Sequence, residues 1–380
     1  MAAVTCLFSF FIGVHEGSFQ GVIDMFIRAR TGHVQIHKAG YLEKPSIYKT
    51  IKNYEDIGKE IEKAPLVLSW APRVYASGLV FVDTKTTGAK IIGIDPKREI
   101  NTTRFKEKIK KGAMFSSEPL KEVIIGAPLA RVLKADIGKE IVIITQAVDG
   151  SIANEIFKII GFAGTIDDPS ERNNIYMNIK SAQEYLELGS RVHEIAIVIS
   201  DQDKSQETAD YIRDLNIDKT LEAAPWEVVE KDFYKTMRTD MERSNIIFFI
   251  IMSIVAIGIL NTVLMSILER TREFGVIKAL GTRPFYIFIL IVLESGILSI
   301  MSALLGMAAG IAINYYLSIH GIKYPTPIEF QGVFVTEMRS IVNAKSIIKP
   351  LLLTIFTAVT VSILPAIKAA RIIPVKALRR

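Results

Sequence analysis

Residues 246–268 carry no charge, residues 269–283 carry six, and residues 285–316 are uncharged but for Glu294. This alternation leaves the chain few folds. A span needs about 20 apolar residues, and both runs exceed that. The stretch between them, NTVLMSILERTREFGVIKALGTR from 261 to 283, reads as a short amphipathic helix over 269–281. Gly281 and Pro284 mark its end and the start of the next helix. Two membrane-length helices joined by a compact charged hinge imply a polytopic membrane protein whose loop touches something.

Residues 1–14 and 347–367 are further apolar runs, and mean hydropathy over the 380 residues is +0.30. The expected organisation is residues 1–27 as a first membrane helix with its outer extension, 28–244 as a large polar domain, and 245–380 as three membrane helices with their loops. The run 1–14 covers only about 21 Å of a roughly 30 Å hydrocarbon core at 1.5 Å per residue. It therefore reads as a truncated first span, with His15 and Glu16 at its outer end and basic residues expected upstream of Met1.

The net charge of +6 does not mark a nucleic-acid partner, because of where it lies. The hinge holds Arg270, Arg272, Lys278 and Arg283 against Glu269 and Glu273; the C-terminus holds Lys368, Arg371, Lys376, Arg379 and Arg380. Removing these nine bases and two acids from the totals of 46 and 40 leaves 37 bases against 38 acids. The excess flanks membrane helices, the positive-inside pattern. Hinge and both termini are expected in the cytoplasm, with residues 28–244 and 317–345 outside. The single cysteine, Cys6, lies in the first apolar run, so the outer domain holds together by its core alone.

In that domain, β-branched alternation predicts strands at 34–37, 66–74, 78–82, 89–94, 122–125, 141–145, 155–162, 175–179 and 194–199, and helices at 54–63, 181–188 and 204–215. The mixed order gives an α+β class. A Lys-rich patch at 104–111 suggests the entry to an inserted subdomain of about 96–169. Residues 226–244 read as a charged helix running into the second membrane helix, with Pro225 at its first turn.

Catalytic chemistry finds no support. The chain has no G-x-x-x-x-G-K-[ST], so any ATP and Mg belong to a partner and no cofactor is expected here. His33 and His37 bracket a strand, about 13 Å apart at 3.3 Å per residue, too far to share a metal. Within the membrane, Asn261, Thr262 and Glu294 are the polar groups that need partners; Glu294 reads either as a gate or as a helix–helix hydrogen-bond partner of Asn261 or Thr262. Ser302, Gly306 and Gly310 form a small-xxx-small face suited to close helix packing.

The hinge ERTREFGVIKALG and the C-terminal LPAIKAARIIPVKALR together resemble the permease subunits of an ABC transporter superfamily that includes lipoprotein-releasing permeases, macrolide exporters and FtsX. TGHVQIHKAGY at 31–41 leans toward the lipoprotein-releasing branch. The resemblance implies four membrane helices and an outer porter-type domain with an inserted subdomain. It makes the hinge a coupling helix docked on a separate ABC ATPase through Glu269, Arg270, Arg272, Glu273, Phe274, Gly275, Ile277, Lys278 and Gly281, with Phe274 and Ile277 as its apolar knob. It also implies a second permease subunit, alike or homologous, inner-membrane lipid around the spans, and release of lipidated proteins from the inner membrane. The alternatives are an FtsX-like regulator of a cell-wall hydrolase and a macrolide-type efflux permease.

Overall fold

The computed structural model describes residues 1–116, 118–215, 217–330 and 333–373. In chain order its helices are α1 (Ala2–Arg30), α2 (Tyr54–Ile61), α3 (Pro96–Thr103), α4 (Phe105–Lys108), α5 (Ala127–Leu133), α6 (Ile179–Tyr185), α7 (Ser205–Asp214), α8 (Trp226–Val229), α9 (Lys231–Glu269), α10 (Thr271–Ala279), α11 (Pro284–His320) and α12 (Ala344–Ala370). The strands are β1 (Val34–Lys38), β2 (Val67–Val82), β3 (Lys85–Ile94), β4 (Ile109–Gly112), β5 (Glu122–Gly126), β6 (Glu140–Gln146), β7 (Ile152–Ala163), β8 (Asn174–Asn178), β9 (Glu194–Ile199), β10 (Leu221–Pro225), β11 (Ile322–Phe330) and β12 (Val333–Met338). The chain divides into a strand-rich unit, Ile23–Lys235 with Glu329–Val333, and a helical unit built from Met1–Val22, Thr236–Ile328 and the chain from Phe334 onward.

The strand-rich unit is one hydrogen-bonded sheet in the order β10-β1-β9-β2-β3-β8-β5-β7-β4. Strand β6 pairs with both β2 and β7, so β2, β3, β8, β5, β7 and β6 close into a ring. The 16-residue β2 makes this possible: its first half pairs with β9 and its second with β6. Gly78 lies at the second junction, where an added Cβ would stand 2.5 Å from the Ile144 carbonyl oxygen. Any side chain there would push β6 away.

Alternation distributes the core to both sheet faces. Val74, Ile91, Val123, Ile125, Ile175 and Met177 join the main core, while their neighbours Ile92, Ile94, Ile124 and Tyr176 pack with Phe105, Phe115 and Ala163 in a second one. Residues 96–169 supply β4 to β7 to this same sheet, with α3 leading in through an Asp95 cap that accepts the Lys97 and Arg98 amides.

Several expectations need correcting. The strands expected at 66–74 and 78–82 are the single β2, because Gly78 continues the pairing rather than breaking it. The Lys-rich patch is part of the fold itself, as α4 and β4. The helix expected from 226 is two: α8 ends at Glu230, with φ −109° and ψ 56°, and α9 begins afresh at Lys231. Pro225 closes β10 and caps α8.

Among the described residues, four helices are long and apolar enough to cross a membrane: α1, α9, α11 and α12. The first helix, expected over 1–27 with its outer extension, is α1 of 29 residues, about 43 Å at helical rise, and His15 and Glu16 lie inside it rather than at its end. Glu16 instead accepts a hydrogen bond from Asn343 Nδ2 at 2.9 Å, beside the capping box that starts α12.

Within the helical unit α1 and α11 approach closely through small residues. A Cβ on Gly310 would lie 2.7 Å from that of Ser9, and one on Gly306 would overlap the Ala2 carbonyl. One helical turn further, Asn314 Nδ2 donates to the Ser9 carbonyl at 2.9 Å and its Oδ1 accepts from Ser340 Oγ at 2.8 Å. Ser302 is only half-buried. Gly310→Val is expected to destabilise the unit by about 1–3 kcal/mol, the usual cost of overpacking. Thermal unfolding in detergent checks this, with Ser302→Val as a comparison expected to cost much less.

Candidate functional site

The hinge is α10, nine residues between α9 and α11. Arg270 caps it, and Gly281 ends it at φ +96°, a left-handed conformation that glycine adopts without strain. Phe274 is buried, packed with Ile259, Val263, Ile267, Ile287 and Ile291 and with alanines of α12. Gly275 is buried as well and Ile277 is half-buried. The knob expected from Phe274 and Ile277 therefore faces the helices, because the 3.6-residue period turns that stripe toward the apolar neighbours. The exposed stripe is Arg272, Glu273, Val276, Ala279 and Leu280.

The hinge charges are also divided. Lys278 Nζ donates to the carbonyls of Ala370 and Ile372, each at 2.8 Å, which satisfies the end of α12. Arg270 Nη1 grips both oxygens of Glu294, at 2.6 and 2.9 Å, while its Nε reaches Glu273 at 2.9 Å. This replaces the partner expected for Glu294. Thr262 bonds its own helix at Gly258, and Asn261 is exposed. Glu269 is exposed too. The C-terminal bases Lys376, Arg379 and Arg380, with the last part of the C-terminal motif, lie outside the described residues.

The Arg270–Glu294 pair ties the hinge to α11. A double-mutant cycle with Arg270→Gln and Glu294→Gln is expected to give a coupling of about 1 kcal/mol, the modest value reflecting partial exposure of both groups. Thermal unfolding of the two single variants and the double reads it.

A second constellation lies in the strand-rich unit and was not anticipated. Arg73, on β2, is buried and grips Glu99 through Nε at 3.1 Å and Nη2 at 2.7 Å. Its Nη1 donates to Glu194 on β9 at 2.9 Å and also to the carbonyl of Arg30, the last residue of α1. Thr103 donates to Glu99 at 2.6 Å, Tyr75 donates to Glu194 at 3.2 Å, and His37 Nε2 lies 3.3 Å from Glu194. Burial works against the Arg73 charge, yet Glu99, Tyr75 and Glu194 outweigh it and its pKa rises. Burial likewise opposes ionised Glu194, and hydrogen bonding from His37 with the charges of Arg73 and Lys90 holds its pKa low all the same. A lone arginine inside the apolar run VLSWAPRVYASG was the signal available in the sequence.

Beside this node both chain entrances are fixed within the same unit. Phe26 of α1 and Phe233 of α9 stack with centroids 3.6 Å apart and planes at 4°, and Trp226 meets Phe233 edge-on. His33 opens β1 there. Its Nδ1 accepts the Ile199 amide at 3.3 Å, and burial lowers its pKa to about 4 from 6.5. A depressed histidine favours the folded state above its unfolded pKa, so this contribution is present at neutral pH and lost as pH falls from about 6.5 to about 4. The full loss is of the order of 3 kcal/mol. Both tryptophans, Trp70 and Trp226, lie in this unit, so intrinsic fluorescence of the whole chain reports its unfolding. His33→Gln is expected to flatten the dependence of the unfolding midpoint on pH over that window.

No group of three or more His, Cys, Asp or Glu able to hold a metal occurs among the described residues. What the chain displays is a permease layout: four membrane-length helices, a charged hinge between α9 and α11, and a large strand-rich unit that includes the end of α1 and the start of α9. Residues 1–215 match the MacB-like periplasmic core domain and residues 245–374 match the FtsX-like permease C-terminal domain. The chain belongs to the FtsX/MacB-like family of ABC transporter permeases.

Its relatives include the lipoprotein-releasing system transmembrane protein LolC of Neisseria meningitidis, 19% identical over 297 residues, which are 76% of this chain and 70% of that one. The macrolide export ATP-binding/permease protein MacB of Campylobacter jejuni is 27% identical over 234 residues, 59% of this chain but only 34% of that protein. Among solved structures, the periplasmic region of MacB from Actinobacillus actinomycetemcomitans is 16% identical, with a TM-score of 0.39, covering 55% of this chain and 94% of that one. Membership makes the chain a membrane permease with an extracytoplasmic domain, and it implies an ABC ATPase partner.

Proposed function

We propose that this permease converts ATP hydrolysis on a separate ATPase chain into movement of its extracytoplasmic domain, and so releases lipidated proteins from the inner membrane. In this reading the exposed stripe of α10 receives the ATPase on the cytoplasmic side. The hinge passes force to α9 by chain connection and to α11 through Arg270–Glu294. A second permease subunit, the same or homologous, completes the complex.

The observation that carries the proposal is the clamp of Phe26 on Phe233 beside the Arg73 node. It gathers both chain entrances of the strand-rich unit into that unit's own core, and in this reading a shift of either membrane helix reaches the domain through them. Such a lever changes cargo affinity only if cargo contacts differ between its two positions. Lipoprotein as cargo follows the name of the Neisseria relative and the 31–41 segment.

The test is purification of the full-length chain from its native membranes, with mass spectrometry of what accompanies it, and depletion of the protein in cells. An ATPase, trapped lipoprotein and lipoproteins accumulating in the inner membrane on depletion are the expected results. Capture of a cell-wall hydrolase with no such accumulation would instead make the chain an FtsX-like regulator.

A further inference from the structure

The extracytoplasmic domain contains a cavity of about 790 Å³ that transport by levering does not require. Its volume falls within the usual range for small-molecule sites. The floor is the sheet face that bears Arg73, Tyr75 and Lys90; one wall is formed by Ala29–Thr31 at the end of α1 with Val229 and Glu230.

Its charges fall into two groups. Arg73 is spent on Glu99 and Glu194, and Lys108 on Glu171 at 2.7 Å. Among the described residues, three others lining the cavity have no ion pair within 4 Å. The Lys90 ammonium sits 4.4 Å from the centroid of the Tyr75 ring, the Arg30 guanidinium 5.1 Å from that of Phe26, and the Glu230 carboxylate has no side-chain hydrogen bond. Lys90 is open to the cavity yet hemmed in by protein, and that desolvation lowers its pKa. Desolvation raises the pKa of Glu230, with Arg30 and Lys90 the cations that oppose the rise. Three charges that share one cavity without ion-pair partners are free to pair with a ligand of complementary charge.

A simple anion would answer the two cations and leave Glu230 facing a second negative charge. A simple cation would do the reverse. We propose that the cavity binds a zwitterion, a small group bearing an anionic oxygen cluster for Lys90 and Arg30 and an ammonium for Glu230. Ser77, opposite Lys90 in the β2–β3 register, adds a hydroxyl on the anion side. Two sources carry this chemistry: a phosphoethanolamine lipid headgroup, or an amino acid or peptide. Because Arg30 and Glu230 adjoin the starts of the two membrane tethers, the ligand would contact both tethers at once.

The experiment is calorimetric titration of the full-length protein in detergent with four probes. Glycerophosphoethanolamine and glycylglycine are the zwitterions; glycerol 3-phosphate and ethanolamine are their single-charge halves. Saturable binding of at least one zwitterion, tighter than either half, is expected. Binding of the phosphoethanolamine probe alone assigns a lipid headgroup, of the dipeptide alone a peptide or amino acid, and of both the shared zwitterion. Lys90→Met and Glu230→Gln should each weaken binding by about tenfold or more, with cooperative unfolding retained. Binding of neither zwitterion, equal binding of a single-charge half, or undiminished binding in both variants overturns the proposal. Should a variant fail to fold, the four probes on the unmodified protein decide.

Discussion

Arg73→Met is expected to cost the extracytoplasmic domain about 3–5 kcal/mol, because it leaves two buried carboxylates, Glu99 and Glu194, without the guanidinium that pairs both. For a domain of this size that is a fall in unfolding temperature of roughly 6–20 °C. Tryptophan fluorescence of the whole chain measures it, since Trp70 and Trp226 both lie in that domain. Arg73→Lys should fall between, since an ammonium restores charge but cannot serve Glu99, Glu194 and the Arg30 carbonyl from one planar fork. The informative variant is the triple Arg73→Met, Glu99→Gln, Glu194→Gln. Both glutamines can still accept from Thr103 and His37, so most of the lost stability should return. If the triple variant is as unstable as Arg73→Met alone, the loss comes from packing rather than stranded charge.

That node also shows where sequence reading stops. Long apolar runs and alternating strands depend on local period, and they were legible: all four membrane helices and β1, β5 and β9 lie where hydrophobic pattern places them. Two of the unforeseen strands, β4 and β10, are short, with no clean alternation, and are strands only because β7 and β1 offer edges to pair with. Ring closure through β6 could not be read at all, since it joins residues 142–144 to 79–81. Arg73, Glu99 and Glu194 are likewise distant in sequence; only folding brings them within 3 Å.

The hinge was legible in kind and misread in facing. Its length and terminal glycine follow from local signals, but which stripe turns inward depends on neighbours contributed by α9, α11 and α12. Sequence offers Phe274 and Ile277 as the apolar knob. Packing claims Phe274 first, and the residues left outside are those available to a partner. Arg270 and Lys278 are similarly consumed, one by Glu294 and the other by the end of α12.

This reassignment leads to the second large effect, at Leu280. It is 83% exposed, and it lies beside Val276, Arg272 and Glu273 on the exposed stripe. If that stripe receives the ATPase, Leu280→Asp buries a charge at the centre of the interface and should weaken ATPase association by about 30-fold or more, the scale of a 2 kcal/mol hot spot. The unfolding temperature of the permease itself should not change, because Leu280 touches none of its core. Phe274→Ala should do the opposite: it opens a cavity among α9, α11 and α12, lowers the unfolding temperature, and affects the ATPase only in proportion. Gly275 with a bulky replacement belongs with Phe274, since it too faces inward. Co-purification of the ATPase with each variant, alongside thermal unfolding, separates the two classes. Normal ATPase association in Leu280→Asp would remove this stripe from the interface and require the ATPase to dock elsewhere.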